Sequence, residues 1–251
     1  MTMYHYIYDN YLLEKKYQNV IARIEARLTD LGINGKIIKF SAFKNLNKSI
    51  NDESSKEIKT IVIVGNTKTL NQSLNLIKDK KINIGFIPIG PNNELAKLLG
   101  IPEGEAACET LSARIIQEIN LGLINEKYYF ISYLELPGDN VYINCDDNYF
   151  INTTSHDNII TISNICLDDN HPNIKNNAGY LNLIIKNTEK KLFKAKKEYF
   201  SYFKADKLKV NSDKSIPILL VDEKIILKTP LKVEIAKEKI RIISGKNRKI
   251  H

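Results

Sequence analysis

The sequence contains few cysteines and no long apolar segment. Its three cysteines, Cys108, Cys145 and Cys166, form no Cys-x-x-Cys pair of the kind that binds zinc or supports redox chemistry. The four histidines are equally scattered, so their spacing indicates no metal site. No stretch approaches the roughly 20 consecutive apolar residues that a bilayer crossing requires, and the chain does not start with a basic segment followed by an apolar run. We therefore predict reduced cysteines, no metal ligands and a cytoplasmic protein.

The net charge of the chain is +8, and lysine supplies most of it. A positive field attracts phosphate-bearing partners, which include nucleotides, nucleic acid and anionic membrane surfaces, without distinguishing among them. Lysine, asparagine and isoleucine are all abundant, and AT-rich coding would produce the same composition without selection for binding. Charge alone therefore indicates a class of ligand and no particular function.

The first half of the chain alternates strand patterns with helical patterns. Residues 60–64 are branched and apolar, which is typical of a strand buried on both faces, and the run stops at Gly65. Apolar residues spaced three and four apart indicate helices between the strands. This order predicts an α/β domain with a doubly wound, mostly parallel sheet. Strands are predicted at residues 4–8, 36–40, 60–64 and 82–87, and helices at 17–31, 70–77, 94–99 and 105–121, with a weak helix at 41–56.

After Gly122 the pattern changes to short alternating segments separated by Asn, Asp, Gly and Pro turns. This texture is typical of an all-β sandwich or barrel. We place the domain boundary near residues 123–127, which gives an α/β domain over residues 1–124 and a β-sandwich domain over 125–251. The basic tail at residues 244–251 has no periodicity, and such termini are usually poorly ordered.

Two loops follow strands at which a ligand is expected, because ligands of open parallel sheets bind beyond the carboxyl ends of the strands. In the loop at residues 65–71, backbone N–H groups and a helix N-terminus would face an anion, with Thr69 as the helix cap. In the loop at residues 85–96, Asn92 or Asn93 can cap the next helix. A glycine that ends a strand is usually a simple turn, so neither loop alone establishes phosphate binding.

Together the two loops resemble the diacylglycerol kinase catalytic region, which is shared by bacterial lipid kinases and sphingosine kinases and, more distantly, by NAD kinases. The family's first loop reads Gly-Gly-Asp-Gly-Thr-Leu-Asn, and its second reads Leu-Gly-x-x-Pro-x-Gly-Thr-x-Asn-Asp-x-Ala, followed by Leu-Gly-Ile-Pro. Residues that match the first loop are Gly65, Thr69, Leu70 and Asn71. The second match is the specific one, and it comprises Gly85, Pro88, Gly90, Asn93, Ala96, Leu99, Gly100, Ile101 and Pro102.

The resemblance continues into the second half of the chain. Asn164 lies where the family places an Asn at the end of a sandwich strand, and Asp222-Glu223-Lys224 falls at the spacing of its Asp-Gly-Glu. The resemblance implies a NAD kinase/diacylglycerol kinase-like fold with the active site in the cleft between an α/β domain and a β-sandwich. It also implies transfer of phosphate from ATP to a lipid hydroxyl, with ATP and magnesium as cofactors if the protein is active.

The same resemblance implies partners and site residues. A nucleotide is expected, a lipid or membrane-surface substrate with peripheral membrane association is consistent with it, nucleic acid is not expected, and the oligomeric state is not indicated. Asp222 or Glu223 would act as the base. The nucleotide site would be lined by Gly65, Asn66, Thr67, Thr69, Gly90 and Asn93.

The departures from the family fall on residues that would carry the chemistry. Thr67 replaces the loop aspartate, and a hydroxyl cannot take the place of a carboxylate in holding magnesium. Lys224 replaces the Glu of Asp-Gly-Glu, which leaves Asp222 in register, and Glu223 would substitute if the strand bulges there. These changes keep a catalytically silent nucleotide- or lipid-binding homologue as the alternative. A NAD kinase-like enzyme and a basic nucleic-acid-binding protein are further alternatives.

Two basic features have more than one interpretation. Lys68 would offer a cation to a nucleotide phosphate, or it is a solvated lysine on a turn. In residues 190–204, lysines lead into Tyr199, Phe200, Tyr202 and Phe203. This segment would dock on an anionic membrane surface, or it is a hairpin with its aromatic side packed and its lysines in water. RNA binding is a third interpretation without a recognisable motif.

Overall fold

The computed structural model describes residues 3–42, 58–77, 82–155, 157–167, 171, 174–189, 197–213 and 215–250. Its contacts divide the chain into two compact units, one made of Met1–Ile119 with Glu238–Ile250 and the other of Asn120–Lys237. The division thus falls a few residues before residue 124, and the C-terminal segment belongs with the first unit.

The first unit is built on a parallel sheet. Its strands are β1 (Met3–Tyr8), β2 (Lys36–Lys39), β3 (Ile58–Gly65) and β4 (Asn83–Pro88), in the order β2-β1-β3-β4. In β3 every residue from 60 to 65 is buried, as the apolar run predicts for a strand covered on both faces. The end of the last strand, β16 (Leu231–Ile243), pairs with β4 in parallel through Arg241 and Ile242.

Four α-helices with both ends inside the described residues accompany this sheet, and their apolar stripes are buried as the sequence spacing predicts. They are α1 (Gln18–Asp30), α2 (Thr67–Ile77), α3 (Glu94–Leu98) and α4 (Ala107–Ala113). In α1, Ile24 and Leu28 are buried, one turn apart. Short 3-10 turns lie at Asn10–Leu13, Lys15–Tyr17 and Gly104–Ala106. Among the helices of the described ranges, none is long and apolar enough to cross a membrane.

One predicted helix is too long. The helix expected at residues 105–121 ends at Ala113, where Arg114 adopts a left-handed conformation with φ 53°, and Ile116–Ile124 forms strand β5. Ile119, Leu121 and Leu123 alternate along this strand, but Ile115 and Ile119 also fit a helical spacing. Pairing of β5 with β16 selects the strand. The weak helix predicted at 41–56 lies outside the described residues, except that residues 40–42 are helical.

The second unit is antiparallel. The strands of its six-stranded sheet are β7 (Tyr133–Pro137), β10 (Ile159–Ser163), β11 (Leu181–Glu189), β12 (Lys197–Ala205), β14 (Ile216–Leu220) and β15 (Glu223–Leu227), in the order β12-β11-β10-β7-β14-β15. Further strands are β6 (Tyr128–Phe130), β8 (Val141–Cys145), β9 (Tyr149–Thr153) and β13 (Lys207–Ser212). β13 pairs with the start of β16 and with β8, and β8 pairs with β9.

A single apolar core joins the two groups of strands in this unit. It takes side chains from the six-stranded sheet, such as Leu134, Ile162 and Leu183, and from the other group, such as Ile143 and Leu208. The predicted α/β domain followed by a β-sandwich is therefore confirmed. Strand β12 carries the aromatic and basic segment, of which only Phe203 and Ala205 contribute to this core.

Candidate functional site

Three loops of the first unit lie side by side beyond the carboxyl ends of β1, β3 and β4. The Asp9 N–H donates to the Val64 carbonyl at 3.0 Å, which joins the end of β1 to the end of β3. The Ile89 N–H donates to the Gly65 carbonyl at 2.8 Å, which joins the end of β3 to the end of β4. The sheet thus brings together the two loops that the sequence singled out, together with a third after β1 that it did not.

The first loop is closed by the side chain of Asn66. Its Oδ1 accepts a hydrogen bond from the Thr69 N–H at 3.1 Å, so Asn66 caps helix α2 and the prediction of Thr69 as the cap is wrong. The Thr69 hydroxyl instead accepts from the Asn66 N–H at 3.4 Å and donates to Asp9 Oδ2. A Cβ on Gly65 would lie 2.8 Å from Thr69 Oγ1, so only glycine fits where this strand ends.

Asp9 is the polar residue of this site that sequence reasoning missed. Its Oδ2 accepts from the Thr69 hydroxyl, and its Oδ1 accepts from the Tyr11 N–H at 3.4 Å, which caps the following 3-10 turn. The sequence feature that could have identified Asp9 is its position directly after the first predicted strand. Because carboxyl ends of adjacent parallel strands share one edge, that place alone brings it to the site.

The second loop turns on Gly90 and is held by Asn93. Gly90 has φ 84°, a left-handed conformation that favours glycine, and the Asn93 side chain donates to its carbonyl at 2.7 Å. Asn93 stands at the start of helix α3 without a side-chain capping bond. The Tyr11 hydroxyl donates to the Ile89 carbonyl at 2.7 Å, and the Thr67 N–H to the Asn92 carbonyl at 3.4 Å. These bonds tie all three loops together.

Two buried oxygen atoms in these loops have no hydrogen-bond partner, namely Oγ1 of Thr67, which is 1 % exposed, and Oδ1 of Asn93, which is 3 % exposed. Buried polar atoms nearly always have a partner, in the protein or in a bound water or ligand. Among the described residues, none accepts from the Lys68 N–H in the first turn of α2. Free donors and acceptors are thus concentrated where a phosphate would meet the helix N-terminus.

Tyr11 keeps its proton at this site. Burial raises the pKa of its hydroxyl well above the ordinary value, and the nearby Asp9 carboxylate and Tyr17 raise it further. The hydroxyl therefore stays a donor to the Ile89 carbonyl over the physiological pH range.

A cavity of about 540 Å³ lies beside Gly90 in the first unit. Its walls include Arg23 and Arg27 of α1, Glu105 of the 3-10 turn before α4, and Glu109 of α4. The Nε of Arg27 donates to Glu109 at 2.8 Å, while Arg23 lies 3.9 Å from Glu105. The volume is within the range of small-molecule sites, and the charged walls suit a polar ligand.

The candidate bases lie in the second unit, in the hairpin of β14 and β15. Leu220 pairs with Glu223, so the loop has two residues, Val221 with φ 45° and Asp222 with φ 65°. Positive φ at both positions is the turn that Asp-Gly favours. Glu223 then begins the strand without the bulge that sequence reasoning invoked for it, and Asp222 is the second residue of the turn.

Asn164 is fully buried in the second unit and holds its surroundings by hydrogen bonds. Its Nδ2 donates to the carbonyls of Asn120 at 2.6 Å and Ile131 at 3.2 Å, and its backbone carbonyl accepts from the Asn177 N–H at 3.1 Å. These contacts order three chain segments around one residue.

The aromatic and basic segment forms a hairpin with an exposed surface. β12 is an edge strand paired with β11, and Tyr199, Phe200 and Tyr202 are 46 %, 39 % and 38 % exposed. The hairpin interpretation is therefore correct, but its aromatic side is not packed. The His171 ring lies 4.9 Å from the Phe200 ring, and Lys197 Nζ lies 5.1 Å from the Tyr199 ring centroid. We call Tyr199, Phe200, Tyr202 and Lys197 the β12 surface.

The first half of the chain matches a known family. Residues 7–124 match the sequence model of the diacylglycerol kinase catalytic domain, a range that contains all three loops. A diacylglycerol kinase of Bacillus subtilis (strain 168) is 30% identical over 78 residues, which are 30% of this chain and 26% of that protein. That match therefore spans about a quarter of the relative's length.

Solved structures share the fold over nearly the whole chain. A diacylglycerol kinase structure from Bacillus anthracis str. Sterne has a TM-score of 0.73 at 14% identity, and a putative diacylglycerol kinase from the same organism has 0.77 at 15%, each with 98% of both chains covered. An NAD kinase from Archaeoglobus fulgidus, solved in complex with ATP, has 0.59 at 12%, covering 98% of this chain and 95% of that one. At such identities the likeness concerns the fold alone.

The fold is thus the one that diacylglycerol kinases and NAD kinases share. Within it, residues 7–124 match the diacylglycerol kinase catalytic domain family. The family resemblance found in the sequence is confirmed.

Proposed function

We propose that this chain binds ATP at the loops of its first unit and transfers phosphate from it to a lipid hydroxyl. The observation that carries the proposal is the match of residues 7–124 to a kinase catalytic domain, over the strands and loops that converge at one sheet edge. The nucleotide phosphates would meet Gly65, Asn66, Thr67 and Thr69 at the start of α2. Gly90 and Asn93 would line the opposite side of the site.

Magnesium fits the donors of these loops. Magnesium prefers oxygen ligands and is usually held by one or two carboxylates together with substrate phosphates. The loops present oxygen atoms of Asp9, Asn66, Thr67 and Asn93. Magnesium that is bound to the nucleotide would neutralise the charge that develops on the transferred phosphoryl group.

Glu223 is the favoured base, with Asp222 as the alternative. A general base takes the proton of the attacking hydroxyl. Glu223 begins β15 directly after the turn, whereas the Asp222 carboxylate accepts from the Tyr133 hydroxyl at 3.2 Å. We assign Asp222 to shaping the turn.

The β12 surface supports a lipid as the phosphate acceptor. Tyrosine and phenylalanine side chains suit the interface between water and acyl chains, and lysines are attracted to anionic headgroups. The exposed rings beside Lys197 provide both at one sheet edge. A peripheral contact with an anionic membrane would bring the protein to its substrate.

The test is transfer of labelled phosphate from ATP to diacylglycerol and related lipids with magnesium present. We expect transfer by the natural chain and a loss of at least about 100-fold for Glu223→Gln, because a general base contributes 10²–10⁴-fold. ATP affinity should be unchanged in that variant. Asp222→Asn, in the same turn, is the matched control and should keep most of the activity.

A catalytically silent nucleotide-binding homologue is the second candidate. The observation that favours it is Thr67 at the position of the family's loop aspartate. ATP binding by the natural chain with no lipid phosphorylation above the Glu223→Gln level would support this candidate and contradict the kinase. Absence of ATP binding would contradict both.

A further inference from the structure

We infer that Asp9 provides the carboxylate for nucleotide-bound magnesium that the first loop lacks, so that this site takes ATP only together with the cation. The inference rests on the proposed nucleotide site and adds to it a residue from the loop after β1. It also assigns the metal dependence of binding to one side chain.

The position of Asp9 carries the inference. Its backbone N–H bonds to the Val64 carbonyl, and its carboxylate accepts from the Thr69 hydroxyl. A Cβ built on Gly65 would lie 3.3 Å from the Asp9 Cβ. The first loop has Thr67 where the family has its carboxylate, yet a carboxylate from the loop after β1 lies at the same helix start.

Whether the Asp9 carboxylate repels or attracts a nucleotide depends on the presence of a cation. A phosphate would use the N–H groups and the positive end of α2, beside which the Asp9 carboxylate already lies. Two anions at that place repel each other. A divalent cation between them attracts both the carboxylate and the phosphate, and so removes the repulsion.

The oxygen atoms of these loops suit a cation that is shared with a nucleotide. No group of three or more His, Cys, Asp or Glu side chains within the described ranges could hold a metal alone. One carboxylate plus the oxygens of a nucleotide is the arrangement that magnesium commonly adopts. The unpartnered, buried oxygens of Thr67 and Asn93 are a second and independent sign that these loops receive a polar ligand.

A structural role for Asp9 is the competing explanation, because it caps a 3-10 turn. Asp9→Asn separates the two roles. Its amide oxygen keeps the acceptor for the Tyr11 N–H and its NH2 group can donate to the Thr69 hydroxyl, but the side chain carries no charge. Asp146→Asn is the matched control. Its carboxylate also accepts backbone N–H groups, from Lys207 at 2.7 Å and Asp206 at 3.2 Å, in the second unit.

The experiment is calorimetric titration of ATP into the full chain and each variant, with excess magnesium and then with excess EDTA. The natural chain and Asp146→Asn should lose at least about tenfold in affinity without magnesium. Asp9→Asn should lose less than about threefold, and in EDTA it should bind ATP more tightly than the natural chain does. Asp9→Ser, also neutral, serves if Asp9→Asn does not fold.

The outcomes separate the inference from the proposal beneath it. The same magnesium dependence in Asp9→Asn as in the natural chain would overturn the role of Asp9 and leave the nucleotide site standing. If no form of the protein binds ATP under either condition, the proposed function fails and the inference with it.

Discussion

At the scale of single residues, the backbone conformation and the neighbouring side chains require glycine at position 90. Its φ is 84°, and a Cβ there would lie 3.4 Å from the hydroxyl oxygens of Tyr11 and Tyr17. A side chain in the left-handed conformation costs about 1–2 kcal/mol. The same atom would also narrow the loop that is proposed to receive a nucleotide.

We predict that Gly90→Ala destabilises the protein by about 1–2 kcal/mol and weakens ATP binding. Gly179→Ala is its control, because Gly179 has the same φ of 84° with no atom within 4 Å of the added Cβ. Urea unfolding should show similar destabilisation for both variants. ATP titration should show weakening only for Gly90→Ala, and equal affinities would contradict a role for Gly90 in the site.

Cys108 gives the stability of the protein a pH dependence. The side chain is fully buried in α4, and burial, followed by the carboxylates of Glu105 and Glu109, raises the pKa of its thiol from 9.0 to about 11. Below pH 9 the thiol is protonated in both the folded and the unfolded chain. Between pH 9 and 11 only the unfolded chain loses the proton, so unfolding becomes more favourable as the pH rises.

We therefore expect the free energy of unfolding to be level up to about pH 9 and to fall above it. The raised pKa values of the buried hydroxyls of Tyr6 and Tyr8 act in the same direction at higher pH. Urea midpoints measured at pH 8, 9 and 10 check this. Cys108→Ser, which does not titrate there, should show a smaller decline, and an equal decline would assign the effect elsewhere.

At the scale of elements, β12 differs from the other strands of its sheet. Most of its residues are exposed, and only Phe203 and Ala205 reach the core. An exposed edge strand with apolar rings favours self-association, which lysines counteract. Rings that remain at such an edge indicate a partner, and an anionic membrane accommodates both the rings and the lysines.

We predict that a Tyr199→Ser, Phe200→Ser double variant reduces cosedimentation with anionic vesicles several-fold, and that added salt weakens binding by the natural chain. Phe150→Ser in β9 is the control, since its ring is 77 % exposed in the same unit. Equal vesicle binding by the natural chain and the double variant would contradict the membrane role. Binding to neutral vesicles that salt does not affect would contradict the electrostatic part.

At the scale of the whole molecule, the C-terminal tail is part of the first unit. The N–H groups of Ser244, Gly245 and Lys249 donate to the carbonyls of Ile115, Leu99 and Leu98 at 2.8, 2.8 and 2.7 Å. Ile250 is completely buried. The sequence could not indicate whether this tail is ordered, because these contacts involve backbone groups and a close approach of Gly245 to Gly100 that no periodicity reveals.

Deletion of residues 244–251 should destabilise the first unit by at least about 3 kcal/mol. Each lost hydrogen bond contributes roughly 1 kcal/mol, and a buried Ile side chain contributes about 1.5–3 kcal/mol. Thermal unfolding followed by circular dichroism measures the change. Lys246→Ala, at an exposed position of the same tail, is the control, and an unchanged melting temperature for the deletion would contradict the packing of the tail.

Local patterns were sufficient for most elements of the molecule. The apolar runs at residues 60–64 and 82–87 and the spacing of Leu70, Leu74 and Ile77 predicted β3, β4 and α2, because burial imposes a period on each element. The loop residues between them carried the family resemblance. Patterns failed where two periods overlap, as at Ile115 and Ile119, since strand pairing decides there.

The sequence by itself thus determined most of the order of elements, the two-part architecture and the likeness of residues 7–124 to a kinase family. Only the tertiary structure decided that Asp9, distant in sequence, reaches Thr69, and that Glu223 begins the strand directly after the turn without a bulge. The physical reason is that sequence patterns report burial, which is local and periodic. The meeting of loops depends on the pairing of parallel strands, and the register of a hairpin depends on turn geometry.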